Sequence, residues 1–468
     1  MTKKITPLAL ALVTLLTGCS MIPTYERPAA PVPTGFPNVT ASESPATLPS
    51  WRTYFAEPRL QQLIELALNN NRDLRIASLN VEQARAQFQV RRAAQYPAVG
   101  LAANASRAPA SGTGNITNNF SVGLAVTAWE LDFFGRVASL KEQALAQYLA
   151  TEEGRNAAQV SLISSVANGW LNLLADEELL ELSRRTLATR EESVRLTKLR
   201  LDSGAASELD YRQAESLAQA ARATLAQQQR QRALDENALA LLLGQPLPED
   251  IRATLGRSDL NAAPAIQAVP AGLPSDLLVQ RPDIRQAEQQ LIAANANIGA
   301  ARAAFFPRIS LTAQAGTSSG ELSGLFKNGS WGFTLAPSLL LPLFDAGANQ
   351  ANLESAQASR GVAVAQYEKA IQTAFREVAD ALASQSSLTE QLEAQRKQAE
   401  AESIRFKLAD LRYQNGVASY LDLLDAQRSL FSTQQGVVQV RLSQLQNQVS
   451  LFKALGGGWT DETSSAKP

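Results

Sequence analysis

The sequence predicts a mainly α-helical protein that also forms a transmembrane β-barrel, built from a protomer whose structural unit occurs twice. Three observations predict this fold class. Two long proline-free stretches carry apolar residues at seven-residue intervals, and two pairs of shorter segments alternate apolar and polar residues. The same order of segments returns about 210 residues later along the chain. Long helices and strands long enough to cross a bilayer therefore follow one another twice.

The composition excludes several classes of function. Among 468 residues there are 43 basic and 44 acidic side chains with no block rich in Lys or Arg, so the basic surface needed for nucleic acid is missing. The chain has no His, one Cys and two Met, which removes the commonest general base, an internal disulfide and a soft-metal site. No nucleophile or phosphate-loop motif of recognisable form occurs, so neither an enzyme nor a bound cofactor is predicted.

The N-terminus has the composition of an export signal. Lys3 and Lys4 precede a short apolar segment that cannot span a bilayer as a helix. Residues 16–19, Leu-Thr-Gly-Cys, resemble a lipobox, so residues 1–18 are interpreted as a lipoprotein signal peptide and Cys19 as the lipidated first residue of the mature chain. Ser20 replaces the Asp that usually marks inner-membrane retention, which implies the outer membrane. An ordinary signal peptide with an incidental Cys is the alternative.

The chain contains an internal repeat of one structural unit. Asp73 recurs as Asp283 and Gly204 as Gly416, and further matches keep their order and spacing, which indicates an ancient duplication. The mature chain is therefore divided into an N-terminal extended segment (19–56), a first repeat (57–243), a proline-rich linker crossing the equatorial region (244–275), a second repeat (276–456) and a C-terminal tail (457–468). Each repeat is predicted to hold a helix, a β-hairpin, a long helix and a returning helix.

Four segments have the two-residue period of β-strands. Apolar residues alternate with small or polar ones in segments that begin near Val99, Phe120, Ile309 and Trp331. Each segment has roughly the ten residues that a transmembrane strand needs. Four strands cannot close a barrel, and an open edge in lipid leaves backbone groups unsatisfied. A dimer would give eight strands, a trimer would give twelve and room for a lumen, and a soluble hairpin packed on helices remains the alternative.

Each hairpin is followed by a helix of unusual length. The stretches Arg136 to Leu201 and Ala348 to Tyr413 lack proline and keep apolar residues in a seven-residue register. At 1.5 Å per residue, each would be roughly 100 Å long. The region 57–95, rich in Leu, Ala, Gln and Arg, is also predicted to be helical.

Both long helices are predicted to end at a glycine, where a second helix begins at once. Ser207 and Asp210 follow Gly204, and Ser419 and Asp422 follow Gly416. Ser and Asp at this three-residue spacing have the form of a capping box, which satisfies unpaired backbone donors at a helix N-terminus. Each repeat is therefore predicted to contain an αα-hairpin with a tight tip.

The lipobox, the repeated helix, strand and long-helix order and the glycine-bounded tips resemble the TolC family, in particular the lipoprotein branch typified by OprM. Local sequences that carry the resemblance are Trp129 to Arg136, Asn295 to Pro307, Leu423 to Ser429 and Ala454 to Trp459. The resemblance implies a homotrimer with a twelve-stranded barrel in the outer membrane and a twelve-helix tunnel through the periplasm. It further implies a passive exit duct for drugs that works with a periplasmic adaptor protein and an inner-membrane RND transporter.

The resemblance also implies a gate at the hairpin tips. Asp425 matches an aperture position and Leu421 an apolar ring beside it, and Asp422 is a third candidate for which capping is the simpler explanation. The first-repeat equivalent of Asp425 is Gln213, so the duplicated fold did not demand an acid there. Three copies about a threefold axis would favour cations.

Possible closing contacts of the gate are Asp210, Tyr413 and Arg428. Tyr413 could equally be a core residue of the heptad pattern. Ala418 stands where some relatives carry an Arg of the closing network, so the bonding of the closed state is left open. Rival functions are a metal-efflux or type I secretion duct, a coiled-coil lipoprotein tether and, least supported, an enzyme.

Overall fold

The computed structural model describes residues 20–33, 35–36, 50–109, 115–257, 260 and 280–457. The predicted signal peptide, Cys19, most of the predicted linker and the C-terminal tail after residue 457 lie outside this part of the chain. The described helices and strands follow one another in the order α1 (Trp51–Tyr54), α2 (Pro58–Asn70), α3 (Arg72–Ala93), β1 (Val99–Pro109), β2 (Ile116–Leu131), α4 (Arg136–Asp202), α5 (Glu208–Leu243), α6 (Glu249–Thr254), α7 (Pro282–Ala303), β3 (Arg308–Ser319), β4 (Trp331–Leu340), α8 (Ala348–Gln414) and α9 (Tyr420–Ala454).

The chain separates into two compact units, each assembled from three stretches of sequence. Unit 1 comprises Met1–Ala30, Ser78–Gly154 and Asp283–Ala370, and unit 2 comprises Pro31–Ala77, Arg155–Pro282 and Ile371–Pro468. Both repeats contribute to both units. The sheet lies in unit 1, whereas the hairpin tips and the larger apolar core lie in unit 2.

The sheet of unit 1 is antiparallel with the strand order β1-β2-β3-β4. Its central pairing joins the hairpin of the first repeat to that of the second, with Leu124 opposite Ala315. The outer edges of β1 and β4 have no pairing strand within the described residues. All ten residues of β4 are exposed, and its apolar side chains include Trp331, Phe333 and Leu335. The four predicted strands are thus confirmed.

The two long helices are confirmed. Helices α4 and α8 each contain 67 residues and end within one residue of the predicted positions. Gly204 and Gly416 adopt φ values of 76° and 73°, a left-handed conformation that costs other residues about 1–2 kcal/mol. The next amide reaches back to the helix in both cases: the N–H of Ala205 donates to the carbonyl of Arg200, and that of Val417 to the carbonyl of Arg412.

The helical prediction for residues 57–95 misses a break at Asn71. That residue is extended (φ −61°, ψ 130°) and separates α2 from α3. Its side chain makes the break favourable: Oδ1 accepts from the N–H of Leu74 at 2.9 Å, and Nδ2 donates to the carbonyl of Leu242 at 2.9 Å. An Asn that caps the following helix competes with continuing the preceding one.

The main core lies in unit 2 and draws on segments that the sequence did not place there. Trp51, Tyr54 and Phe55 are almost fully buried, although this region was predicted to be extended. The beginning of the predicted linker forms α6 and buries Leu247 and Ile251 in the same core. Buried apolar side chains stabilise the fold by roughly 1.5–3 kcal/mol each. Both connecting segments therefore contribute to the core of unit 2.

In unit 1, an extended strap formed by residues 20–27 lies along α7. The carbonyl of Pro23 accepts from Asn295 at 2.7 Å, and Arg27 forms a two-pronged ion pair with Glu288 at 2.7 and 2.9 Å. A Cβ at Gly299 would lie 2.7 Å from the Ile22 side chain, so only glycine admits the strap at that point. The strap is thus fixed at several positions along α7.

None of the described helices combines the length and apolar character required to cross a membrane.

Candidate gate at the hairpin tips

Both hairpin tips begin their returning helix with the same cap. Ser207 Oγ accepts from the N–H of Asp210 at 3.1 Å, and the Asp210 carboxylate accepts from the N–H of Ser207 at 3.1 Å. Ser419 and Asp422 repeat this pair of bonds at 3.2 and 3.1 Å. Hydrogen bonds from Ser419 hold the pKa of the Asp422 carboxyl below its ordinary value. The capping role predicted for both acids is therefore confirmed.

Asp425 lies one turn beyond the cap on α9 and is half-exposed. Its carboxylate forms an ion pair with Arg405 on α8 and lies 3.7 Å from Nη2 of Arg428. Arg405 also pairs with Glu402 at 3.1 Å and donates to Ser429 at 3.4 Å. The hydrogen bonds to Asp425 and Glu402 raise the pKa of Arg405 above its ordinary value. Asp425 is therefore held within its own hairpin by two guanidinium groups.

Arg405 did not belong to the predicted set of gate residues. It lies eleven residues before Gly416, and Asp425 lies nine residues after it, so the antiparallel geometry of a hairpin brings the two side chains to the same level. Counting outward from the glycine would have found this pair. The seven-residue apolar pattern could not, because it contains no information about charged positions outside the core.

Tyr413 lies in a small apolar cluster where the two hairpins of unit 2 pack together. The buried members are Ala214, Tyr420, Leu423 and Leu424, and Tyr413 is partly buried against them. Its ring lies 5.2 Å from that of Tyr420, and the guanidinium of Arg200 lies 4.8 Å above the Tyr413 ring. These contacts give Tyr413 the packing role that the heptad alternative predicts. Among the described residues, the hydrogen bonds of Asp210 are with Ser207 and not with Tyr413.

Apolar side chains at the tips remain uncovered. Leu421 is 57% exposed, and its first-repeat equivalent Leu209 is 65% exposed. Val417, in the tip itself, is also exposed. Three apolar side chains are thus exposed at the two tips, and their burial would stabilise association by roughly 25 cal/mol per Å².

Among the residues that the structure describes, no three acidic, His or Cys side chains are grouped so that they could hold a metal ion. The groups brought together at the second tip are Asp425, Arg405 and Arg428, whereas Asp422 and Asp210 are engaged in their own caps. The arrangement can hold helices in register and present charge, but it offers no nucleophile with an adjacent base.

Comparison with known proteins identifies the family. Residues 63–245 and 273–457 match the model of the outer membrane efflux protein family in two segments of nearly equal length. The chain is 46% identical to the antibiotic efflux pump outer membrane protein ArpC of Pseudomonas putida, over 100% of this chain and 98% of that protein. It is 48% identical to the solvent efflux pump outer membrane protein SrpC of Pseudomonas putida, over 95% and 97% of the two chains.

The fold agrees with a solved channel structure. The MtrE outer membrane channel of Neisseria gonorrhoeae in its open state superposes with a TM-score of 0.85 and 42% identity, covering 94% of this chain and 99% of that one. The predicted resemblance to TolC-family channels is thereby confirmed. The alternative predictions of a coiled-coil tether and of an enzyme are not supported. The chain belongs to the outer membrane efflux protein family: it is an outer-membrane transport duct and not an enzyme.

Proposed function

We propose that this chain is the exit duct of a tripartite drug efflux system, which passively conducts substrates from an inner-membrane pump through a gated periplasmic aperture. The observation that carries the proposal is the full-length similarity to ArpC, at 46% identity over the entire chain. The name of that relative specifies an antibiotic efflux pump, and the name of SrpC a solvent efflux pump. Hydrophobic drugs are accordingly the first substrates to test.

The proposed assembly is a homotrimer with a twelve-stranded barrel above a twelve-helix tunnel. The open edges of β1 and β4 support it, because unpaired backbone groups in lipid are costly and pairing β1 of one copy with β4 of the next satisfies them. The exposed aromatic and aliphatic side chains of β4 suit a surface in contact with lipid. Twelve strands enclose a lumen, whereas the eight strands of a dimer would be filled by side chains.

The remaining parts of the proposal follow from the same arrangement. Cys19 is proposed as the lipidated residue that anchors the chain to the outer membrane, and a periplasmic adaptor and an inner-membrane RND transporter are proposed as partners. Antibiotic resistance would be the cellular consequence. The five sequence divisions given above are retained as the proposed domain organisation.

The gate is proposed to consist of Leu421, Asp422 and Asp425, with Asp210, Tyr413 and Arg428 as closing contacts. The exposed side chain of Leu421 and the charged cluster around Asp425 at one hairpin tip support this assignment. Opening would shift the α8–α9 hairpin as a rigid body, since hairpins of this kind move between discrete packing arrangements. Loss of the Asp425 carboxylate would leave Arg405 with Glu402 and Ser429 as its partners and weaken the closed arrangement.

Single-channel conductance in planar bilayers tests the gate. An Asp425→Ala channel is expected to show a conductance at least about twice that of the parent, or a weaker preference for cations, because a ring of three carboxylates is removed. Gln213→Ala, at the equivalent position of the first repeat, is the matched control and is expected to behave as the parent. Unchanged conductance and ion preference in Asp425→Ala would remove Asp425 from the gate.

Drug susceptibility tests the transport role itself. A strain lacking its own outer-membrane duct is expected to regain resistance when this chain is expressed with its cognate adaptor and pump. A Cys19→Ser variant with a cleavable signal peptide separates anchoring from conduction. Normal channels in bilayers without restored resistance in any adaptor and pump combination would contradict a role in drug efflux.

A further inference from the structure

A cleft in unit 2 has the features of a ligand site that the transport role does not use. It encloses about 200 Å³ between α4, α8 and α9. The walls comprise Leu182, Arg185, Thr186, Thr189, Arg190, Phe406, Gln427, Leu430, Phe431 and Gln434. We call this space the α4–α9 cleft. It begins beside the Arg405 and Asp425 pair, since Phe406 follows Arg405 and Gln427 lies two residues beyond Asp425, and it extends away from the hairpin tip as far as Gln434.

Arg190 is the unusual residue of the cleft. It is 6% exposed, and within the described chain no ion pair includes it. Its Nη1 donates to the carbonyl of Leu217 at 3.1 Å, while its Nε is buried without an acceptor. A guanidinium stays protonated even when burial lowers its pKa, as it does here, so a positive charge is enclosed without an opposite charge. Such a charge destabilises a protein unless an anion or several dipoles compensate it.

The surroundings of Arg190 offer little compensation. The ring of Phe431 lies 5.4 Å from its guanidinium carbon, which provides one cation–π contact. The other nearby cation, Arg428, repels it. Arg185 lines the same cleft but is exposed and paired with Glu181 at 3.6 Å, so that acid is already engaged. The field in the cleft is therefore positive and attracts an anion.

The rest of the cleft suits a flat apolar group. Phe406, Phe431, Leu182 and Leu430 form its walls. Gln427 contributes a second buried polar atom, Oε1, that has no hydrogen-bond partner. A pocket with apolar walls and a few polar groups that converge at one end is the usual form of a small-molecule site. An inorganic anion would neutralise the charge of Arg190, but the aromatic walls of the cleft would remain in contact with water.

We propose that the α4–α9 cleft binds a small aromatic carboxylate, whose carboxylate pairs with Arg190 and whose ring lies against Phe406 and Leu430. The bound acid completes the unmet hydrogen bond of the Arg190 Nε and removes the uncompensated charge. Because the walls belong to three helices of both repeats, the ligand also holds α4 against α8 and α9. Binding does not require drug transport, although the cleft adjoins the Arg405 and Asp425 pair of the proposed gate.

Binding of 4-fluorobenzoate to the purified full-length protein tests the proposal. Fluorine NMR is expected to detect saturable binding, and benzoate is expected to compete. Acetate, which lacks the ring, and benzyl alcohol, which lacks the charge, are expected to compete at least about tenfold more weakly, since each loses one of the two recognition elements. Empty micelles give the background from partition into detergent.

Variants of the cleft decide whether Arg190 is the anion partner. Arg190→Met is expected to weaken binding at least about tenfold, and Arg190→Lys to recover part of it. Arg184→Met is the matched control, because it removes an exposed cation of α4 that does not line the cleft, and its affinity is expected to remain within about twofold of the parent. Should Arg190→Met not fold, as judged by helical content and oligomeric state, Arg190→Gln, which removes the charge but keeps a polar side chain, replaces it with the same expected loss.

Three results would overturn the proposal. The first is the absence of saturable 4-fluorobenzoate binding at millimolar concentration, which would mean that water fills the cleft. The second is equal competition by chloride and benzoate, which would show an anion site without aromatic recognition. The third is equal binding by the parent and Arg190→Met, which would place the ligand elsewhere.

Discussion

The tips of the two helical hairpins began as copies of one unit, and they now differ in what surrounds the same turn. Both keep a left-handed glycine followed by a Ser and Asp cap. The first tip is followed by exposed ion pairs of Arg212 with Glu208 and Glu215, whereas the second packs Tyr420 into an apolar cluster and pairs Asp425 with Arg405. After the duplication, both tips thus kept the glycine and the cap that form the turn, whereas the residues that a gate would use diverged.

The largest difference between the tips is expected at the first residue of the returning helix. Tyr420→Ala should reduce the free energy of local opening of the second tip by about 3 kcal/mol, because Tyr420 is 6% exposed and its loss leaves a cavity. Hydrogen exchange of the α9 backbone amides should accelerate roughly a hundredfold. Glu208→Ala, the matched change in the first tip, should cost less than about 0.5 kcal/mol. Equal effects in both tips would mean that the two have not diverged in packing.

The glycines should behave alike in both copies. Gly416→Ala and Gly204→Ala each force a left-handed conformation on a residue with a Cβ, at a cost of about 1 kcal/mol in local opening. Nothing lies near enough to either position for a methyl group to clash, so the backbone conformation alone sets the cost. Hydrogen exchange at the following helix N-terminus measures it. A cost confined to one tip would show that the other turn can relax.

The capping serines extend the comparison to a hydrogen bond. Ser419→Ala and Ser207→Ala should each destabilise the first turn of the returning helix by about 1 kcal/mol, since the amide three residues on loses its acceptor. Amide exchange at Asp422 and Asp210 reports on this loss directly. Thr substitutions, which keep the hydroxyl, serve as controls and should retain most of the protection. If the alanine variants exchanged as slowly as the parent, the caps would not contribute to stability.

The ion pair of Asp425 should contribute least to stability. Asp425→Asn should change the opening free energy of the second tip by about 0.2–1 kcal/mol, because the partners are half-exposed and solvent screens them. Raising the salt concentration should diminish the effect further. The proposed gate role predicts altered conductance in this variant together with nearly unchanged amide exchange. A large loss of protection would instead make Asp425 a structural residue.

Acidification should affect the second cap through Asp422. The pKa of this carboxyl is depressed in the folded state, so its contribution is fully present above its ordinary unfolded value near 4 and is lost as pH falls through the lower folded value. Exchange of the α9 N-terminal amides, corrected for the intrinsic effect of pH, should therefore accelerate below about pH 4. Asp422→Asn should lack this dependence. A parent protein without it would show that Ser419 does not stabilise the charged carboxylate.

Local features were predictable from the sequence, whereas contacts between distant segments were not. The ends of α4 and α8 followed from Gly204 and Gly416, and the caps from Ser and Asp at the right spacing, because each depends on a few neighbouring residues. The break at Asn71 was missed because the residues on both sides favour helix, and only the single residue Asn71 departs from helical geometry. The partner of Asp425 and the burial of Leu247 depend on how helices pack, which a periodic pattern does not specify.

The strap and α7 run side by side with different rises per residue. From Ile22 to Arg27 it advances five residues while its contacts on α7 pass from Gly299 to Glu288, eleven residues. An extended chain rises about 3.3 Å per residue and a helix 1.5 Å, so both intervals measure about 16.5 Å. Adding one residue to the strap would shift its contacts by about two helix positions and turn its side chains to the opposite face. The position of the strap along α7 is thereby set in steps of single residues.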